Sequence, residues 1–258
     1  MNKRIVVITG ACGGIGQAGI DTFIKGNDFV IGFDIQDDSS DVVVDIKQRF
    51  RSGFKYMQVD CLDETQVEKA MGEVVATYQT IDVVFNIVGG SGRAFGDGPI
   101  DQCTLDGYEK TMDLNVKSQF LISKHATKHM LKQGYGCIIN TASVLGIVGG
   151  NKMFGTHAYA ASKAAIIGFS RAMATYYAKD GIRVNVIAPG LIETPMSQRA
   201  QQNEDIMTYM DEKQPIYFGK NKLGNPYAVA RAAVFLADEA SDFTTGVVLP
   251  IDGGWTAQ

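Results

Sequence analysis

Seven short runs of Val, Ile and Phe recur along the chain without polar alternation, which confines it to folds whose strands are covered on both faces. The runs are residues 4–8, 29–33, 56–59, 83–87, 137–140, 184–187 and 247–249. Helical spacing fills the stretches 14–25, 64–78, 105–132, 156–179 and 227–237. Strand–helix–strand repetition requires right-handed crossovers, so the pattern predicts a single α/β domain: one doubly wound Rossmann-type parallel sheet with helices on both faces. No linker, repeat or composition break divides residues 1–258. Residues 190–224 interrupt the rhythm with Pro195, Pro215, Gln201, Gln202 and Asn203, and an insertion after a strand's carboxyl end reads as a lid over a site.

The composition narrows the function. With 45% hydrophobic and 20% charged residues the chain can bury a sizeable core. Its formal net charge of −4 leaves no basic footprint for nucleic acid or anionic lipid. Cys12, Cys61, Cys103 and Cys137 are scattered and form no C-x-x-C, which fits reduced thiols in a cytoplasmic protein better than a disulfide framework or zinc site. Lys3 and Arg4 precede an apolar run that Thr9 cuts short of a signal sequence, and no run is long enough for a membrane span.

The first run leads directly into Thr9-Gly10-Ala11-Cys12-Gly13-Gly14-Ile15-Gly16, where helical spacing begins. Glycines at a strand-to-helix junction allow a tight turn and let backbone N–H groups approach a pyrophosphate. Asp34 ends the second run, where a carboxylate can accept hydrogen bonds from ribose hydroxyls and would repel a 2′-phosphate. No Lys or Arg follows it within the next dozen residues, so the expected cofactor is NAD.

Tyr159 and Lys163 are i and i+4 neighbours on a helical stretch, and an ammonium beside a phenol favours the phenolate. This is the expected acid/base. Taken with the Gly-rich turn, the sequence resembles the short-chain dehydrogenase/reductase family over its whole length. The resemblance implies that Gly10, Cys12, Gly14, Ile15 and Gly16 cradle the dinucleotide, and that Asp34, Asp60 and Cys61 line its adenosine end. It implies further contacts from Asn86, Val88 and Gly89 of Asn86-Ile87-Val88-Gly89, and from Pro189, Gly190, Ile192 and Thr194 after the sixth run. Tyr159 would move the hydroxyl proton, Lys163 would hold the phenolate and the nicotinamide ribose, Ser143 would bind the substrate oxygen, and Asn115 would pin a relay water. Asp252-Gly253-Gly254 closes the chain in the family manner.

Two departures stand out. Ile87 and Val88 replace the polar and small residues usual in that segment, and the Ser143-to-Tyr159 span is a few residues longer than the family's, with 149–156 as the insertion. Met153, Phe154 and His157 are therefore expected to line the substrate pocket, and Arg93 to anchor a substrate carboxylate or phosphate. His125 and His129 have the spacing of a two-histidine metal face, but with no third ligand nearby they read as ordinary surface or interface histidines, and no metal is expected. Ala172, Met173 and Ala174 look exposed, and the helices that hold them build homotetramers in the family.

The expected function is NAD-dependent hydride transfer between nicotinamide and a secondary alcohol or ketone on a small polar substrate such as a sugar, polyol or hydroxy acid. One alternative is an NADPH-dependent 3-oxoacyl thioester reductase, which Asp34 disfavours. Another is a non-catalytic NAD-binding protein, which would need none of Asn115, Ser143, Tyr159 and Lys163.

Overall fold

A computed structural model describes residues 3–216 and 223–258. Among them, strands β1 (Ile5–Thr9), β2 (Phe29–Asp34), β3 (Phe54–Gln58), β4 (Val83–Asn86), β5 (Gly136–Thr141), β6 (Ile182–Pro189) and β7 (Val248–Ile251) form one parallel sheet in the order β3-β2-β1-β4-β5-β6-β7. The helices are α1 (Gly14–Lys25), α2 (Asp41–Arg49), α3 (Glu64–Tyr78), α4 (Leu105–Met112), α5 (Ser118–Gln133), α6 (His157–Tyr177), α7 (Gln198–Gln201), α8 (Glu204–Lys213) and α9 (Pro226–Ala237).

Successive side chains of β1 serve opposite cores. Val6 and Ile8 pack with Ile20 and Phe23 of α1 and with Val229 and Leu236 of α9. Ile5 and Val7 pack with Val67 and Met71 of α3 and with Leu121 and Met130 of α5. The uninterrupted apolar run is thus the signature of a strand between two helical layers. Strand order reverses between β1 and β4, and a crevice opens at such a switch point beyond the strands' carboxyl ends. Thr9, Asn86 and Asn140 stand in register there and are fully buried. The Asn86 amide donates to Asn140 Oδ1 at 2.8 Å, the Asn140 amide to Ser170 Oγ at 2.9 Å, and Thr9 Oγ1 accepts the Ile87 N–H at 3.0 Å. This polar row fixes where the loops above it begin.

Three details depart from the sequence expectation. Helix α2 hides behind the β-branched run Val42-Val43-Val44, and only Val43 and Ile46 carry its buried face. The expected helix 105–132 is two helices joined by a π-turn over Asp113–Lys117, where the buried Asn115 amide donates back to the Thr111 carbonyl at 2.9 Å. Ala174 is buried against the sheet with Met173 packed beside it, so of the three residues expected on the surface Ala172 alone is exposed.

Residues 190–216 and 223–224 form a layer over the crevice's edge. Gln214, buried, receives the Leu191 N–H on Oε1 at 2.5 Å and returns its amide to the Leu191 carbonyl at 3.2 Å, strapping the base of this insertion. The rest of the expected lid, 217–222, lies outside the described residues.

Candidate active site

Helix α1 begins after Gly13 with no side-chain cap, so its first-turn N–H groups face the crevice and suit an anion. Gly10 has φ +68°, and a Cβ there would come 3.3 Å from Val88 N. A Cβ on Gly16 would overlap the Gly10 carbonyl oxygen, and one on Gly14 would meet Thr194 Cγ2 at 2.9 Å. Ile15 packs into the core beneath, while Thr194, of the insertion, closes the turn from above. Only glycine backbone fits this cradle, and the cradle suits a pyrophosphate.

Beside it, Asp34 accepts the Cys12 N–H at 2.9 Å on Oδ2 and the Gln36 N–H at 3.2 Å on Oδ1. Burial, then Asp34, push the Cys12 thiol up to about 12, so it stays protonated and inert. Asp37 and Asp38 follow on the exposed turn, Asp41 opens α2, and Lys47 is held by Asp38 at 2.5 Å. Asp60 accepts the Leu62 N–H at 2.8 Å on Oδ1. The side chain of Cys61 packs into the core, as does that of Ile192, so what either offers a nucleotide is its backbone. The Asn86 side chain is likewise spent inside the sheet. Gly190, after Pro189 ends β6, bonds to the Ile251 carbonyl at 3.0 Å.

The reactive groups converge beyond β4 and β5. Tyr159 and Lys163 share one face of α6, with Lys163 Nζ 5.5 Å from the centre of the phenol ring. Ser143 caps a 3-10 turn after β5, accepts the Leu145 N–H at 3.2 Å, and lies beside the Tyr159 hydroxyl, whose pKa it lowers. Lys163 is buried and donates to the Thr141 carbonyl at 3.0 Å. Asn115 Oδ1 accepts the Gly90 N–H at 3.0 Å and its amide donates to the Gly90 carbonyl at 3.0 Å. Gly89 is needed between them, since a Cβ would lie 2.5 Å from Asn115 Oδ1 and 3.0 Å from Lys163 Nζ.

Burial raises the Tyr159 phenol above its ordinary value, and only the Ser143 hydroxyl pulls it back. Burial brings the Lys163 ammonium down to about 7, and one of its N–H groups donates to the Thr141 carbonyl.

The insertion 149–156 is explained by what it packs against. Asn151 caps a turn over Lys152–Phe154, and the Phe154 ring meets Trp255 at 5.3 Å and Tyr209 of α8 at 6.0 Å. Met153 and Phe154 thereby tie the Ser143 loop to the crevice-covering layer, and the Met153 carbonyl accepts from Arg93 at 3.2 Å. Arg93 is exposed overall, yet desolvation and the nearby Arg199 lower its pKa. His157 is the first residue of α6 and is exposed. His125 is buried where α5 packs on α3, and its Nε2 meets Glu64 at 3.0 Å. Sequence reasoning missed Asp97, a buried carboxylate bonded to the N–H groups of Ala158 and Tyr159. Its only local signal was an acid inside a glycine-rich loop.

Residues 10–256 match the family model described as enoyl-(acyl carrier protein) reductase, one of the short-chain dehydrogenase/reductase models. The chain belongs to the short-chain dehydrogenase/reductase family. It is 33% identical to the 2,5-dichloro-2,5-cyclohexadiene-1,4-diol dehydrogenase of Sphingobium indicum, over 100% of this chain and 98% of that one. It is 32% identical to the cis-4-hydroxycyclohexanecarboxylate dehydrogenase of Sinomonas cyclohexanicum, over 99% and 97% of the two chains. The solved structure of ElxO with NADP bound superposes with a TM-score of 0.88 at 29% identity, covering all of both chains. This short-chain dehydrogenase/reductase is accordingly an oxidoreductase acting on CH–OH groups.

Proposed function

We propose that the protein is an NAD-dependent dehydrogenase that oxidises a secondary alcohol, or reduces the matching ketone, on a small polar substrate. The observation that carries this reading is the convergence of Ser143, Tyr159 and Lys163 on one spot beside the glycine cradle. Bound nicotinamide supplies the hydride acceptor or donor. Tyr159 takes the hydroxyl proton in oxidation and returns it in reduction. Ser143 donates to the substrate oxygen and sets its distance from Tyr159. Lys163, within reach of the ribose position, passes protons onward, with Asn115 holding the π-turn beside Gly89 in the form that relay needs. The preference for NAD is supported by Asp34 and by the acids Asp37, Asp38 and Asp41 around it, which together repel a 2′-phosphate.

On the substrate side, burial and then the charge of Arg199 lower the pKa of Arg93, so an added anion beside its guanidinium is favoured. The substrate therefore carries a carboxylate or a similarly placed anion. Arg93→Ala is expected to raise KM for a hydroxy acid about 10–100-fold, the worth of a charged hydrogen bond, and to leave KM for a neutral diol unchanged. Steady-state kinetics on the two substrate types checks it.

The exposed Leu105, Phe120 and Tyr176 on α4, α5 and α6 support a homotetramer, for which light scattering should return the mass of four chains. Unpaired Cys12, Cys61, Cys103 and Cys137 support a reducing, cytoplasmic setting. A panel of cyclic diols, polyols, hydroxy acids and 3-oxoacyl thioesters tests the reading as a whole. NAD-linked turnover of an alcohol supports it, and exclusive NADPH-linked reduction of the thioester would replace it by the reductase alternative, to which the NADP-bound relative lends weight.

A further inference from the structure

We propose that Asp97 is the positioning residue for Tyr159: its buried carboxylate grips the first turn of α6 from a separate loop and so fixes where the phenol stands. The proposal rests on Tyr159 being the acid/base.

A helix leaves its first N–H groups without internal partners, and a Ser, Thr, Asp or Asn just before it ordinarily supplies one. Thr156 occupies that place before α6 but makes no side-chain cap. The work is done from elsewhere in the chain. The His157 N–H donates to the Gly98 carbonyl at 3.2 Å, the Ala158 N–H to Asp97 Oδ1 at 3.0 Å, and the Tyr159 N–H to Asp97 Oδ2 at 2.9 Å. The first three donors of α6 are thus held by two consecutive residues of the loop after β4. Each carboxylate oxygen takes one N–H, so the fork sets the rotation of the turn as well as its distance, and the negative charge lies at the favourable end of the helix.

Asp97 is itself immobilised. It is 6% exposed, its own N–H is bonded to the Gly92 carbonyl at 3.0 Å, and its Cβ lies 2.9 Å from where a Cβ on Gly92 would be. The Cys103 thiol approaches Oδ1 at 3.9 Å, and Arg93 is the cation whose pKa its charge supports. At its other end the same loop is paired through Gly90 to Asn115. One strap of residues 90–98 therefore spans from Asn115 to the backbone of Tyr159, with Arg93 between. Burial, then Ser143, set the phenol's readiness to ionise, and Asp97 bonds the helix backbone rather than the phenol oxygen. Its effect is on geometry alone.

The test compares Asp97→Asn, Asp97→Ser and Tyr159→Phe with the wild-type enzyme on its best alcohol. Asn keeps the size but turns an amide N–H₂ toward one of the two donors. Ser restores a single acceptor and serves if the Asn variant folds poorly. Asp97→Asn is expected to lower kcat about 10–100-fold through displacement of the reacting group, with NAD affinity by fluorescence titration held within about twofold. The pH midpoint of kcat should stay in place, and Asp97→Ser should regain thermal stability without regaining wild-type kcat. A folded Asp97 variant with full kcat overturns the proposal, as does one whose pH midpoint moves or whose NAD affinity falls as far as its kcat. If Tyr159→Phe turns over normally, the acid/base reading fails and the positioning role fails with it. If Tyr159→Phe is inactive and Asp97→Asn is not, only the positioning role is lost.

Discussion

Replacing Tyr159 by Phe is expected to lower kcat by about 10²–10⁴-fold, the usual worth of a positioned acid or base, while binding of NAD stays near wild type. The phenyl ring fills the same space and removes only the phenol oxygen beside Ser143. What is lost is the proton's destination, so the deficit should appear in kcat and kcat/KM alike. The pH dependence has a definite sign. Burial raises the phenol above its ordinary value, so at neutral pH it is protonated. Oxidation needs the ionised form and should accelerate as pH rises, whereas reduction needs the protonated form and should slow as pH climbs through the phenol's pKa. Steady-state rates in both directions check this, and a flat profile in both would remove Tyr159 from the chemistry.

Lys163→Met is expected to do two opposite things: lower kcat by about 10²–10³-fold and make the folded protein more stable by about 1–2 kcal/mol. The lysine is 3% exposed, and burial brings its pKa from 10.5 down to about 7, so below neutral pH the fold carries a desolvated ammonium. Methionine fills similar volume without charge. It leaves no orphan, because the Thr141 carbonyl that Lys163 bonds also accepts the Gln119 amide at 3.0 Å. Between about 7 and 10.5 the unfolded chain holds a proton that the folded one has released, so wild-type stability rises with pH across that window. In the methionine variant that rise is absent, so its advantage is greatest at pH 7 and below and fades toward 10.5. Thermal melts of the two proteins at several pH values measure this. At this chain length each kcal/mol should move Tm by about 2–4 °C. A destabilised variant would mean that the buried ammonium is a structural asset and not a cost borne for catalysis.

The parts of this protein that the sequence disclosed are those whose partners are close along the chain. Tyr159 and Lys163 are one helical turn apart, the glycine cradle is contiguous, and each buried strand is a single apolar run. What stayed hidden depends on tertiary neighbours. Asp97 acts on a backbone more than sixty positions away, and its value comes from Thr156 leaving the cap open. The π-turn at Asn115 cannot be read from a 3.6-residue period, since the tie to Gly90 that accompanies it crosses the crevice. The burial of His125 stayed hidden because nothing in α5 reveals that Glu64 of α3 will face it. Spacing put an ammonium beside a phenol, but only the fold determines how dry that ammonium becomes and that the Thr141 carbonyl accepts one of its N–H groups. In the same way the insertion 149–156 appeared as an anomaly of length, whereas its packing on Tyr209 and Trp255 makes it a brace between the Ser143 loop and the layer above.

A parallel determination of kcat/KM for NAD and NADP, with the same alcohol and the same enzyme preparation, tests the cofactor preference most directly. Asp34, with both carboxylate oxygens already committed to the Cys12 and Gln36 N–H groups, and the acids that follow it predict a preference for NAD of about 100-fold or more, since each like charge opposes the 2′-phosphate. Equal use of the two cofactors, or preference for NADP, would contradict the reading of this turn and with it the assignment of the protein as an NAD-dependent alcohol dehydrogenase.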